Sequence, residues 1–574
     1  MEITGRKILI LGGTGLVGTV ISRQILKELP KLLVICSIGT KRDRRAIKKL
    51  RKEFPSAKIT HLWGDILLSE DFKNKSLESI VSDNTRRRKL FEEIYTPLND
   101  QTIKSSFLYK VIQRYTPEII IDSVSLASSL AYIDTFKKAK LMLRGLESEN
   151  NQKKIKETIE DYLVSLEFPR LLRHVQILYH AIRANNKRDS NVKIYLKIGT
   201  TGTGGLGFNI PYTHGEDRPS NTLLIKSAIS GAHTMLLYLL SKTPDAPIIK
   251  EIKPATSISW GEINFGTISN KDEPIKLQDC PPKLGYKLGD TLDLNSPAHK
   301  FISLGNKTLK SVYLDSGENG LFSLEEFKTL STLGQMEFIT PEEIAAKAIN
   351  EIKGANTGRD VIAALEAAAL QPSYRAGLMR TTAISRMKEI EKSKNVNSVA
   401  FEILGPPRLS KLLIEAFLLK RAYINMENVT REKAKNISLN LQNIVSNNKD
   451  IRTQIISIGI PILLPDEKTL LAGKEIKVPA NDEQPKNITI KNIDKWANLG
   501  WVDLRAKNMN LWRERFSEII KEIKKEESEI RRDLSSNLDR RFYNPQTWEI
   551  DTRIDPSEVV AWIFSREEKG YRLK

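Results

Sequence analysis

The chain has little cysteine and little histidine. Of 574 residues only Cys36 and Cys280 are cysteine, and six are histidine. Two cysteines exclude a disulfide framework and a cysteine-based zinc site. Cys36 lies within an apolar run and reads as a core residue. The histidines show neither HxxxH nor HExxH spacing, so no metal centre is expected. Long hydrophobic runs are also lacking. The longest, around Met235–Leu240 and Ile455–Leu464, are too short to span a bilayer. A strand pattern begins almost at the first residue, so no signal peptide is expected. A cytoplasmic protein without a membrane partner is the expectation.

Acidic residues are in deficit. Lys and Arg total 90 against 70 Asp and Glu, giving a formal net charge of +20. The excess is not gathered into a patch. It alternates with Glu, as in Lys521-Glu522-Ile523-Lys524-Lys525-Glu526-Glu527, which is the pattern of a solvated helix face. Nucleic acid is therefore disfavoured as a partner, whereas a positive field suits a phosphorylated cofactor or an acidic substrate. With 40% hydrophobic and 28% charged residues, the chain can build two to four globular domains.

Lys7–Leu11 is a short apolar run suited to a buried parallel strand, and it leads directly into Gly12-Gly13-Thr14-Gly15-Leu16-Val17-Gly18. A helical pattern follows from Val17 to Leu29. Gly12 permits a tight turn, Gly15 allows the backbone to approach a pyrophosphate, and Gly18 lets the helix pack against the strand. The helix N-terminus then offers free N–H groups and its positive dipole end to an anion. The second strand, Leu32–Cys36, ends in Ser37-Ile38-Gly39-Thr40-Lys41-Arg42 rather than in an acidic residue. Basic side chains at that position suit a 2′-phosphate and favour NADP, with Asp43 serving NAD as the alternative. Further strands are read at Lys58–Leu62, Glu118–Asp122, Lys193–Ile198 and Ile248–Lys253, separated by helical patterns. This alternation predicts an α/β fold, a doubly wound parallel Rossmann sheet, with ligands bound beyond the strand carboxyl ends.

Residues 5–260 resemble the extended short-chain dehydrogenase/reductase superfamily (NAD-dependent epimerase/dehydratase-like). The elements that carry the resemblance are Gly12-x-x-Gly15-x-x-Gly18, Gly64-Asp65, the small residues after the fourth strand, and a segment after the fifth. That segment contains Thr200-Thr201-Gly202-Thr203, Ile210-Pro211-Tyr212, Glu216–Ser220 and Lys226-Ser227-Ala228. The resemblance implies that Asp65 and Ile66 meet the adenine and that Ser123, Val124 and Ser125 flank the cofactor. It also implies that Lys226 holds the nicotinamide ribose and that Thr200 or Thr201 binds the reacting oxygen. One departure matters. Where the family has Tyr-x-x-x-Lys, this chain reads Thr222-Leu223-Leu224-Ile225-Lys226. A threonine hydroxyl is too weak an acid to serve as proton carrier near neutral pH. Tyr212 is the first substitute, with His214 and His233 behind it. Gly199–Gly207 holds five glycines in nine residues and could form an anion nest for a substrate phosphate or carboxylate.

The expected organisation has four parts. Residues 1–265 form the NAD(P)-binding domain, with helical insertions near 66–101 and 129–168. Residues 266–335 are a loop-rich substrate or linker region, 336–450 a helical domain that includes an alanine-rich helix at Ala363–Leu370, and 451–574 a region of short strands and helices. Arg375, Arg408 and Lys411 sit at loop–helix junctions suited to an anion. Trp496, Trp501, Trp512, Trp548 and Trp562 anchor the tail helices. The leading functional reading is an NADP-dependent oxidoreductase acting on a carbonyl or alcohol of an anionic small molecule, in a chain that could self-associate. Two alternatives stand beside it: a catalytically silent nucleotide sensor or scaffold, and a non-redox epimerase, dehydratase or lyase on the same fold.

Overall fold

The computed structural model describes residues 1–131, 135–148, 152–186, 192–199, 221–254, 259–270, 273–288, 292–293, 300–316, 320–331, 339–354, 366–370, 374–403, 407–477, 487–488, 493–532 and 552–567. They group into two compact units. The first comprises the described residues of 1–206, 219–259 and 338–376, and the second those of 260–337 and 377–574.

Seven strands form the sheet of the first unit: β1 (Lys7–Leu11), β2 (Leu32–Ser37), β3 (Ile59–Trp63), β4 (Ile119–Asp122), β5 (Ile194–Ile198), β6 (Ile248–Pro254) and β7 (Glu366–Leu370). Their order across the sheet is 7-6-5-4-1-2-3, and every pairing is parallel. The strand order turns back at β1, whose neighbours are β2 on one side and β4 on the other. That is the switch point at which a doubly wound sheet opens a ligand crevice.

Burial on both faces explains the continuous apolar strands. One parity of side chains, including Ile8, Ile10, Ile35, Ile121, Leu196 and Ile252, packs with α1 (Leu16–Lys27) and α2 (Lys41–Glu53). The other parity, including Leu9, Leu11, Cys36, Ile120, Tyr195 and Ile249, packs under α3 (Phe107–Tyr115), α4 (Glu167–Asn186) and α5 (Asn221–Ser241). Burial pushes the Cys36 thiol up to about 12, as expected of an inert core cysteine. A sixth helix, α6 (Pro341–Lys353), begins with a Thr340–Glu343 capping box, and its Ile344, Ala348 and Ile352 join the α1 face. The two insertions fold as short helices, among them Asn84–Tyr95, Thr135–Ser148 and Gln152–Ser165.

Three expectations about the first unit are corrected. Of the alanine-rich stretch, Glu366–Leu370 is a strand and not a helix, because it pairs in register with Lys250–Pro254. Alanine's helix preference, a few tenths of a kcal/mol per residue, gives way to completing the sheet edge. Residues 341–353 and 366–370, assigned from sequence to a separate helical domain, pack in the first unit. Finally, Leu224–Ser241 is long and apolar enough, by length and composition, to cross a membrane. Core helices share that property, and α5 buries Ile229, Leu237 and Leu240 against the first unit.

The second unit is mostly helical. Pro407–Tyr423 is buried along most of its length, packing with Ala434–Asn447 and Pro556–Arg566. Trp512 and Trp562 join its core, while Trp496 and Trp501 fill a smaller cluster with Leu463 and Leu470. Trp548 lies outside the described residues. Glu415 ties this unit together. Its carboxylate accepts from Lys411 Nζ (2.7 Å), the Asp503 amide (2.7 Å), Asn508 Nδ2 (3.0 Å) and Trp512 Nε1 (2.8 Å). Lys411 is thus buried and committed to Glu415, which corrects its reading as an anion holder; Arg375 is exposed and Arg408 half-buried.

Candidate functional site

The glycine turn has the geometry the sequence demands. Gly12 adopts φ +73°, and a Cβ there would stand 3.1 Å from Ser123 at the end of β4. A Cβ on Gly18 would stand 2.9 Å from Gly13 Cα and nearer still to the Gly12 carbonyl oxygen, so only glycine lets α1 approach the turn this closely. Gly13 is held against Ile10 and Ile35. Gly15 is the N-cap of α1 and supplies no side-chain cap, and the first turn, which includes Leu16 and Val17, holds no acidic residue. Among the described residues, the opening N–H groups of α1 thus meet neither a capping side chain nor a first-turn carboxylate that would compete with an anion.

The start of α2 is built differently. Thr40 and Asp43 form a capping box. Asp43 Oδ2 accepts from the Gly39 and Thr40 amides at 2.9 and 2.7 Å, and Thr14 Oγ1 lies 2.6 Å from both Asp43 Oδ1 and Ser37 Oγ. Both carboxylate oxygens of Asp43 are spent on the loop, and the side chain is buried. Lys41 is exposed and Arg42 half-buried at the first turn of the same helix. Thr14 thus acts through its hydroxyl as a brace between β1 and β2, and its backbone belongs to the turn.

Asp65 follows β3, where its Oδ1 accepts the Leu67 amide at 2.8 Å. Burial raises its carboxyl above the ordinary aspartate range, against the pull of that amide and of Arg170. Ile66 beside it is buried. Ser123 donates to the Leu11 carbonyl at 2.8 Å, tying the segment after β4 to β1. The structure thereby brings together the glycine turn, the end of β2 and Ser123-Val124-Ser125 around the β1 switch point. Lys226 is buried on α5. Thr200, Thr201, Tyr212 and His214 lie outside the described residues, as does all of the glycine-rich loop after Gly199.

Sequence reasoning missed a buried polar cluster on the α4/α5 side of the sheet. Asp122 at the end of β4, Lys197 near the end of β5 and Glu251 in the middle of β6 lie side by side on that face, with Tyr195 two residues before Lys197 and with His174 of α4 and His233 of α5 over them. Tyr195 Oη donates to Asp122 Oδ2 at 2.7 Å, and Lys197 Nζ lies 3.0 Å from the same oxygen. Burial works against the Asp122 charge, but Lys197 and the tyrosine hydroxyl hold its carboxyl below the usual range. Burial likewise drives Tyr195 well above its ordinary value, and holds His174 down to about 4 and His233 to about 3. Both histidines are therefore neutral near pH 7, and neither Nε2 has a hydrogen-bond partner among the described residues. A histidine this reluctant to protonate is a poor general acid, which weighs against His233 as the proton carrier. A signal was present in the sequence: Lys197 interrupts a strand that is otherwise apolar.

Residues 277–568 match the family model described as the beta-methylindole-3-pyruvate reductase C-terminal domain. No curated protein matches the chain. Three solved structures similar to it are short-chain or alcohol dehydrogenases. A short-chain oxidoreductase with an atypical catalytic centre from Pseudomonas aeruginosa is 12% identical, over 45% of this chain and 73% of that one, with a TM-score of 0.24. A short-chain dehydrogenase/reductase from Serratia marcescens is 10% identical, over 66% and 100%, with a TM-score of 0.31. An alcohol dehydrogenase from the archaeon Thermococcus sibiricus, complexed with 5-hydroxy-NADP, is 12% identical, over 64% and 97%, with a TM-score of 0.28. Scores this low add nothing to the strand order and glycine turn described above. The family match spans just over half of the chain, and on that ground the protein belongs to the beta-methylindole-3-pyruvate reductase C-terminal domain family; its first unit is a doubly wound parallel sheet with the Rossmann strand order.

Proposed function

We propose that this chain is an NADP-dependent reductase of an anionic 2-oxo acid. The observation that carries the proposal is the family match, whose named relative reduces an indolyl pyruvate, a 2-oxo acid with a carboxylate. The Rossmann unit fits the cofactor this implies. Gly12 and Gly18 leave no space for side chains in the turn, and α1 opens without a side-chain cap, which suits a diphosphate. Burial of Asp43 in the α2 cap removes the carboxylate that would serve a ribose diol, while Lys41 and Arg42 suit a 2′-phosphate.

When bound, the reduced nicotinamide supplies hydride. The chain's own residues hold and polarise the substrate. Lys226 orients the nicotinamide ribose, Thr200 or Thr201 donates a hydrogen bond to the keto oxygen, and Tyr212 delivers the proton. The glycine-rich loop from Gly199 receives the substrate carboxylate on its amides. A second copy of the chain belongs to the same proposal: exposed positions on α5, Leu224, Ala228, Gly231, Met235 and Leu239, form an uncharged stripe that could lie against its own counterpart.

The test is oxidation of NADPH, followed by absorbance, with a panel of aryl and alkyl 2-oxo acids alongside their aldehyde and ketone analogues. Turnover confined to the 2-oxo acids is the expected result. A second reading, a nucleotide sensor without turnover, rests on Thr222 standing where a tyrosine is usual. Tight NADPH binding with no turnover on any carbonyl would favour it.

A further inference from the structure

We propose that the buried Lys197–Asp122 ion pair positions the nicotinamide side of the dinucleotide cleft, acting through the peptide groups of Val124. The inference rests on the nucleotide-binding reading above. At the β1 switch point the two halves of a dinucleotide spread in opposite directions. The basic start of α2 puts the adenosine half over β2, so the other half falls over β4 and β5. The chain leaves β4 through Ser123 and Val124, and the ion pair grips that exit. Asp122 Oδ1 accepts the Val124 N–H at 2.9 Å, and Lys197 Nζ donates to the Val124 carbonyl at 2.7 Å. The remaining capacity of the pair is turned inward: Lys197 Nζ lies 3.0 Å from Asp122 Oδ2, which also accepts from Tyr195 Oη at 2.7 Å. Both polar groups of one loop residue are thus held by one ion pair, while Ser123 is fastened to β1 through the Leu11 carbonyl. The cleft wall is fixed between the two strands that border it.

Stability alone does not call for such a pair. Asp122 and Lys197 are 0% and 2% exposed, in a sheet whose other residues on this face are largely apolar. Well-packed apolar side chains commonly serve as well as a buried ion pair. The specific return is a carbonyl and an N–H held in one orientation at the mouth of the crevice. The surrounding groups do not compete for that role. Neutral His174 and His233 face the cluster from α4 and α5, and Glu251 lies 3.4 Å from Lys253 on β6.

The experiment compares full-length wild type, Lys197→Met and Asp122→Asn by calorimetric titration. Each is titrated with NADPH and with 2′,5′-ADP, which carries only the adenosine half; NADH and ADP are run in parallel. The expected result is a loss of about tenfold or more in dinucleotide affinity, the low end for a lost hydrogen bond to a charged group. Affinity for the adenosine fragment stays within about twofold, below what a single such bond is worth. An equal loss for both ligands, or no loss for either, overturns the inference. Should Lys197→Met not fold, Asp122→Asn decides by the same ratio, since the amide is isosteric with the carboxylate. Wild type that binds neither dinucleotide refutes the nucleotide reading itself. Wild type that binds both probes with a ratio unmoved by substitution refutes the positioning role alone.

Discussion

Placing a methyl group on Gly18 should damage the first unit in a way that a methyl group on Gly15 does not. A Cβ at residue 18 meets Gly13 Cα at 2.9 Å and the Gly12 carbonyl carbon at 3.0 Å, both backbone atoms that no rotamer change can move. To relieve the contact α1 must lift from β1, loosening the packing of Ile21, Ile25 and Leu26, all buried. Overpacking of this kind costs about 1–3 kcal/mol. In a unit of this size that corresponds to a melting temperature lower by roughly 2–12 °C. At Gly15 the added carbon meets, among the described residues, only the Gly12 carbonyl oxygen, at 3.3 Å, and the backbone there, at φ −61°, accepts any residue. Gly15→Ala should therefore melt within about 1–2 °C of wild type, the scale of a fraction of a kcal/mol. It should still lose NADPH affinity, because the methyl stands where the diphosphate would approach. Thermal melting, with hydrogen exchange followed on peptides from residues 1–131, separates the two effects. A Gly18→Ala protein that melts like wild type would refute the close approach of α1 to the turn. A Gly15→Ala protein with undiminished NADPH affinity would refute the turn as a phosphate cradle.

The first unit should lose stability as pH falls. His174 and His233 are held near 4 and 3 in the fold but return to about 6.5 when it opens, so their contribution is complete above pH 6.5 and declines toward pH 4, by a few kcal/mol in order of magnitude. Hydrogen exchange in unit 1 should report this, and a decline equally steep in the His174→Gln/His233→Gln protein would contradict it. Glu391 acts with the opposite sign in the second unit. Burial lifts its carboxyl to about 7, so stability there erodes as pH rises from 4.5 through 7, and Glu391→Gln should flatten that slope. Replacing Lys41 and Arg42 by alanine should weaken NADPH by about tenfold or more while leaving NADH within about twofold, as loss of charge-assisted phosphate contacts requires; equal effects in titration would count against the 2′-phosphate assignment. Glu415→Ala should cost the second unit about 3–5 kcal/mol by removing the carboxylate that Lys411, Asn508, Trp512 and the Asp503 amide share in the core, measured by urea denaturation, and a loss under about 1 kcal/mol would show the network to be dispensable.

The parts of the fold that were legible are those fixed by neighbouring residues. A parallel strand buried on both faces writes itself as four to six apolar residues in a row, and the turn into α1 announces itself through glycines whose spacing follows the backbone contacts. The strand Glu366–Leu370 was hidden because its alanines have no strand preference and its partner lies more than a hundred residues earlier in the chain. The Asp122–Lys197 pair was hidden for a similar reason: each charge reads as the solvated end of a strand until β4 and β5 are known to be neighbours. Lys411 was open to a better reading, since Glu415 stands four positions on, and an i,i+4 pair on an otherwise apolar helix points inward as readily as outward. Thr200, Thr201 and Tyr212, the sequence's candidates for the reacting oxygen and its proton, lie outside the described residues.

The return of the chain to the sheet for α6 and β7, after the excursion through residues 260–337, has a practical corollary for dissecting this protein. Neither half can be liberated by a single cut. A fragment stopped near residue 260 would keep the glycine turn but forfeit an edge strand and a helix that shields Ile8, Ile10 and Leu196, exposing bare apolar surface to aggregation. A fragment that kept the whole sheet would have to join the stretch before residue 260 to residues 338–376, two pieces that the second unit separates in the chain.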